Sequence, residues 1–157
     1  MAKLRYYQQG DDFALHHIYY RAVREGAKGH YSDEERRAWA PRDTPNPDWE
    51  PRLANQITLV AVDALDQQQG FMTLGYDGHL DFAYVLPEAM GKGVADRLHQ
   101  GIIYIARTLE MHKLDTEASH LARRFFLRQG WLEVQENRIE RYGVTLTNFW
   151  MHLKLRP

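Results

Sequence analysis

The chain contains no cysteine in 157 residues. Disulfides, thiolate metal sites and cysteine nucleophiles are therefore excluded, and the composition suits a reducing compartment such as the cytoplasm. Charge of one sign is missing too. Twenty Lys and Arg face 21 Asp and Glu, a formal net charge of −1, so nothing points to nucleic acid or an anionic membrane. No apolar run approaches a membrane span, and Met1-Ala2-Lys3-Leu4-Arg5 lacks a signal-peptide core. Metal-ligand patterns are lacking: His16 and His17 are neighbours that point apart on a helix, with no His-Glu-x-x-His nearby. Ser119-His120 are adjacent and make no catalytic pair, and no Gly-x-Ser-x-Gly elbow occurs. What remains is 44% hydrophobic and 12% aromatic, enough for a full core. The expectation is one intracellular domain over residues 1–157, without metal.

Alternating elements follow along the chain. Leu4–Tyr7 reads as a short strand. Asp11 or Asp12 can cap a helix with the apolar stripe Leu15, Ile18, Tyr19, Ala22 and Val23. Ser32-x-x-Glu35 is a capping box for a second helix that Pro41 ends. The proline-rich stretch Pro41–Pro51 reads as an irregular loop anchored by Trp49. Ile57–Val62 and Gly70–Tyr76 read as paired strands, and Asp77-Gly78 is a hairpin signal into Leu80–Leu86. A helix follows, with Val94, Leu98, Ile102, Ile105 and Leu109 at helical spacing. Leu114–Ala118 is a strand, Leu121–Arg128 a helix, and Trp131–Ile139 and Val144–Leu155 are closing strands. The order β-α-α-β-β-β-α-β-α-β-β predicts an α+β sandwich on a mixed, mostly antiparallel sheet.

The richest segment is Met90-Gly91-Lys92-Gly93-Val94-Ala95, at a strand-to-helix turn. Two glycines there let the backbone approach an anion, which the unpaired N–H groups of the helix start would hold. A P-loop would need a hydroxyl residue after its Lys, and a dinucleotide fingerprint a third small residue where Asp96 stands. Asp115 does fall near ribose-binding spacing, but three strands before the turn weigh against a dehydrogenase.

The chain resembles the GNAT superfamily of N-acetyltransferases. Met90–Ala95 matches the last half of its pyrophosphate motif, Gln/Arg-x-x-Gly-x-Gly/Ala, after the family-like Val85-Leu86-Pro87. About 25 residues on, Ser119-His120-Leu121-Ala122-Arg123-Arg124-Phe125-Phe126 stands for Asn-x-x-Ala-x-x-x-Tyr. The resemblance implies acetyl-CoA as co-substrate, an amine acceptor, and transfer by direct attack within a ternary complex. It implies that Val85 pairs with the pantetheine arm and that Gly91, Gly93, Val94 and Ala95 hold the pyrophosphate, with Lys92 and Arg97 supplying charge. Ser119 would contact the pantetheine, and Phe126 would line the same site. The glycine-turn strand and the next one would part to admit the thioester. Phe126 replaces the tyrosine that often protonates the leaving thiolate, so an acid must come from elsewhere. The runner-up reading, motivated by Phe126, is a non-catalytic acyl-CoA-binding domain.

Amine attack needs a base, because an alkylammonium has a pKa around 10. His79, Asp81, Ala83 and Val85 share one strand face by alternation. Asp81 is the first candidate and His79 the second. The ordinary readings are an Asp81 paired with an arginine, a solvated His79, and proton loss to water. Tyr31, in a connection where packing demands little, is a substitute acid. Tyr19, Tyr20, His30 and Trp39 are further candidates to wall the acceptor pocket, and Asn148 to bond an acceptor. Finally, the last strand is apolar on both faces, so it is covered by its own chain or by a second copy. A homodimer through the closing hairpin is the corresponding expectation.

Overall fold

The computed structural model describes residues 2–156. Seven strands form one mixed sheet: β1 (Lys3–Tyr6), β2 (Ile57–Val62), β3 (Gln68–Leu74), β4 (His79–Val85), β5 (Lys113–Ala118), β6 (Leu132–Arg141) and β7 (Val144–Lys154). Their spatial order is β1-β2-β3-β4-β5-β7-β6. All neighbours are antiparallel except β4 and β5. Five helices cover the faces: α1 (Asp12–Arg21), α2 (Asp33–Trp39), α3 (Trp49–Ala54), α4 (Val94–Thr108) and α5 (His120–Arg128). None of the described helices is long and apolar enough to cross a membrane.

The strand sequences explain the layering. β2 is buried along its whole length, so its alternate side chains serve two cores. Ile57, Leu59 and Ala61 meet Leu98, Ile102 and Ala106 of α4 on one face. Val60 and Val62 meet Leu15 and Ile18 of α1, with Trp49 and Leu53 of α3, on the other. Gly101 sets how closely α4 lies on the sheet. A β-carbon there would come within 2.7 Å of Leu59 Cδ1 and 2.9 Å of Leu4 Cδ1, so any larger residue would have to displace those two leucine tips.

The capping box at Ser32 forms, with Glu35 N–H donating to Ser32 Oγ at 3.1 Å and Ser32 N–H to Glu35 Oε1 at 2.8 Å. Three expectations are corrected. Asp11 precedes α1 without capping it; its carboxylate instead accepts from Arg5 at 2.8 and 3.0 Å, Gln8 N–H and Gln68. The first helix breaks at Arg21 into one π-helical turn, Ala22–Gly26. The proline-rich stretch ends inside a helix, because Trp49 starts α3. Its indole N–H donates to Asp12 O at 2.8 Å, and its ring packs in the α1 core.

The two faces of β7 are covered by this chain itself. Phe149 and Met151 enter the α4 core. Leu146 packs with Tyr31, Ala27 and Trp39, while Trp150 stacks on His79 with centroids 5.8 Å apart. The apolar surface that suggested a second copy is thus already taken up.

One buried histidine gives the fold a pH dependence. His99 Nε2 accepts from the Trp131 indole N–H at 2.9 Å, and burial pushes its pKa down to about 4. The unfolded chain, with an ordinary imidazole, binds more protons between pH 6.5 and 4, so stability falls as pH drops through that window. At pH 4.5 the loss from this group is about 2–3 kcal/mol relative to pH 7. Urea unfolding at the two pH values checks it. His99→Gln, which keeps an acceptor but cannot charge, should show a visibly smaller loss; an identical loss would clear His99 of the effect.

Candidate active site

The site begins where β4 and β5 stop pairing. They are joined only at His79↔Asp115 and Leu80↔Thr116, and Thr116 Oγ1 donates to Leu80 O at 2.8 Å. Beyond that point β4 stays on β3 and β5 stays on β7, so the two strands part. Leu86 N–H donates to Gln69 O on the β3 side. By antiparallel alternation, the N–H and C=O of Val85 then face the gap.

At the wide end lies the glycine turn. Gly91 and Gly93 have φ of 75° and 81°, and a β-carbon on either would meet nothing within 4 Å. Those backbones are therefore left-handed and open to a ligand. Gly93 precedes α4, whose first N–H groups are free. The turn is braced from behind: Gly26, ending the π-helical turn, lies so close to Met90 that a β-carbon would sit 2.6 Å from its Cε. Arg21 adds an ion pair to Glu88 at 2.7 Å.

Two cavities flank the parting. The inner cleft, about 430 Å³, is lined by Val85, Gly91, Gly93, Val94, Ala95, Ser119 and Phe126, with Arg124 and Arg128 at its edge. Met90, Ala122 and the π-helical turn complete it. The outer chamber, about 490 Å³, is walled by α1, α2, the 41–49 segment, β4, β5 and the β6–β7 hairpin. Trp39, Tyr84 and Ser119 line both, so the cavities meet there.

The expected cofactor residues gather at the inner cleft, apart from Lys92, which is exposed and outside its lining. Arg97 turns away and donates to Ala2 O at 3.1 Å. Ser119 Oγ caps α5 by accepting from Ala122 N–H. Phe126 is a core residue as well as a wall, 1% exposed and packed on Trp131 at 4.8 Å.

The expected acid–base residues fare differently. The strand alternation that put Asp81 and His79 on the face of Val85 is interrupted, because the β3–β4 register shifts between Thr73 and Leu74. Opposite the shift, Leu80 enters the α4 core and Phe82 the α1 core, so the parity before Asp81 is not the parity after it. Asp81 and His79 both line the outer chamber while Val85 lines the inner cleft. Asp81 accepts from Arg52 at 2.7 and 3.2 Å and from Gln56 at 3.0 Å, the ordinary ion-paired reading. His79 is better disposed: Nδ1 meets Asp115 Oδ1 at 2.6 Å, which fixes the tautomer and leaves Nε2 as an acceptor.

Tyr31 is buried, contrary to the undemanding connection expected. Its hydroxyl donates to Thr147 O at 2.6 Å and accepts from His120 N–H at 3.0 Å. Burial raises its pKa, so its proton is committed. Sequence reasoning passed over Tyr84, which stands where the cavities join and whose pKa is pushed well up by burial. No motif marks it; its position emerges only from the bulge.

Comparison with known proteins agrees with this geometry. A family model described as an acetyltransferase (GNAT) domain matches residues 27–153. The uncharacterized N-acetyltransferase YafP of Escherichia coli K12 is 34% identical over 153 residues, covering 97% of this chain and 95% of YafP. A GCN5-related N-acetyltransferase structure from Rhodopseudomonas palustris, also named aminotransferase, class II, superposes with a TM-score of 0.91. It is 28% identical and covers 99% of this chain and 96% of that one. The fold of yncA from Salmonella typhimurium, solved with its cofactor acetyl-CoA, is similar at a TM-score of 0.71. There the identity is 20%, covering 100% of this chain and 95% of that one.

The vertex of the parting is testable. Thr116→Val keeps shape but removes the bond to Leu80 O, at a cost of about 1–2 kcal/mol. Calorimetry should record a Tm drop of about 3–6 °C. An unchanged Tm would mean that other contacts hold the vertex.

Proposed function

The chain belongs to the GNAT family of acetyltransferases, and on that premise we propose that it moves the acetyl group of acetyl-CoA to a primary amine by direct attack within a ternary complex. The observation that supports this most is the meeting of two cavities at parted strands. One has a phosphate-suited turn at its mouth, and the other is a separate polar chamber.

In this reading residues 1–157 act as one catalytic domain. The pantetheine adds to the free edge of β4 at Val85 as an extra strand would. The amides of Gly91, Gly93, Val94 and Ala95 take the diphosphate, with the positive end of α4 behind them. Lys92 contributes charge from solvent, Ser119 meets the arm at the junction, and Phe126 closes the floor. The thioester carbonyl then lies near the β4 backbone, where an unpaired N–H meets the developing oxyanion.

The amine enters from the outer chamber and must arrive unprotonated. His79 is the proposed base, directly or through one water, with Asp115 fixing its ring as a positioning residue. Asp81 is the weaker candidate, since both oxygens are engaged by Arg52 and Gln56. Attack forms the C–N bond, the tetrahedral intermediate collapses, and the C–S bond breaks to release the CoA thiolate. For that thiolate we assign Tyr84 as hydrogen-bond donor in preference to Tyr31, whose proton is given to Thr147 O. A second copy, if one forms, would add along β6, whose outer edge is unpaired among the described strands.

Two variants separate binding from chemistry. Gly93→Glu puts bulk, negative charge and φ strain into the turn, so titration calorimetry should detect no acetyl-CoA binding while circular dichroism stays native; retained affinity would move the site elsewhere. His79→Gln should lower kcat about 100-fold, a typical loss for a general base, with little change in acetyl-CoA affinity. It should also flatten the acidic limb of the kcat/KM profile. If His79→Gln keeps that limb and Asp81→Asn loses it, the base is Asp81.

A further inference from the structure

The outer chamber carries more positive than negative charge, and that imbalance speaks to the acceptor. Its walls contain Arg42, Arg52 and Arg141 against Asp81 and Glu117. The ion pairs of the region, Arg52–Asp81 and His79–Asp115, take in neither Arg42 nor Arg141. Both are exposed at the chamber, one from the proline-rich segment and one from the end of β6. They are guanidinium groups without a carboxylate of their own among the described residues.

A different wall is rich in acceptors. Glu117 projects from β5 toward the chamber, and Asn148 on β7 reaches it at 3.5 Å through Nδ2. Asn148 Oδ1 is buried and has no hydrogen-bond partner among the described residues, a state that native side chains rarely tolerate without a ligand or water. With the free Nε2 of His79, this wall offers a carboxylate, an amide oxygen and an imidazole nitrogen. An ammonium group, with three donors and no acceptor, suits such a set.

We propose that the acceptor is an amino acid or similar carboxylate-bearing amine. This rests on the reading of the outer chamber as the acceptor site. Its amine is received by Glu117 and Asn148 beside His79, and its carboxylate by Arg42 and Arg141. Arginine's planar fork matches a carboxylate in two parallel bonds, giving orientation as well as affinity. The same charges oppose a polyamine, whose second cationic end would meet unpaired guanidinium groups.

Thiol release from acetyl-CoA, measured over amino acids, their carboxamides, diamines and plain alkylamines, tests this. The preferred amino acids should show kcat/KM at least tenfold above their own carboxamides, which keep the amine and lose the charge. The double variant Arg42→Ala/Arg141→Ala should erase that advantage through the KM for the acid, leaving the KM for acetyl-CoA unchanged. Carboxamides or diamines that match the acids in the unaltered enzyme would overturn the inference while leaving the transferase reading intact. So would a double variant that keeps the preference. If no amine releases thiol although calorimetry shows acetyl-CoA bound, the transferase reading itself fails and takes this inference with it.

Discussion

A parallel strand pair that holds for two residues and then lets go governs this molecule. Pairing at His79↔Asp115 and Leu80↔Thr116, tightened by the Thr116 hydroxyl on Leu80 O, fixes the vertex. Past it, main-chain groups of β4 face an opening, although buried backbone normally finds a partner within the fold. The strands do not close over the opening because each has a committed neighbour on its far side, β3 for β4 and β7 for β5. Between its two edge strands, β1 and β6, the sheet interrupts its pairing most at this slot, so the interior demand for hydrogen bonds is concentrated there.

Around that slot the two ends are built differently. The phosphate-suited end is regular: two left-handed glycines, a long helix, and a π-helical turn pressed on Met90. In the proposed reading backbone geometry does the recognition there, and Lys92 stays in solvent. The other end, the proposed acceptor chamber, is irregular, assembled from the 41–49 segment, the β6–β7 hairpin and the bulged start of β4. Loops of this kind vary more easily than the elements they join. The arrangement lets one chemistry be kept while the amine it serves is changed.

Much of this was legible in the residues. The short apolar run of Ile57–Val62, the Asp77-Gly78 turn, the Ser32–Glu35 box and the α4 stripe each gave an element at close to its true place, because each is a local signal. The glycine turn itself was legible for the same reason. Short α3 escaped notice because prolines dominate the segment before it, while the helix forms through Trp49 anchoring to Asp12 O. The parity of β4 escaped because one bulge reverses every side chain on one side of it, and nothing in His79–Val85 announces the extra residue. That single displacement turned Asp81 toward Arg52 and left Tyr84 unremarked at the junction. Tyr31 was misjudged since its partners, Thr147 and His120, lie 116 and 89 positions away.

Vectorial synthesis meets these two cavities in unequal states. Every residue lining the inner cleft has been made once Arg128 leaves the ribosome, whereas the outer chamber waits for the segment from Ile139 to Asn148. A nascent chain thus owns the walls of the proposed cofactor cleft before it owns those of the proposed amine chamber, with one edge of β5 still bare. The Tyr31 hydroxyl meets His120 N–H early but lacks an acceptor for its own proton until Thr147 arrives, and that late oxygen contact is the moment at which the second room acquires its wall.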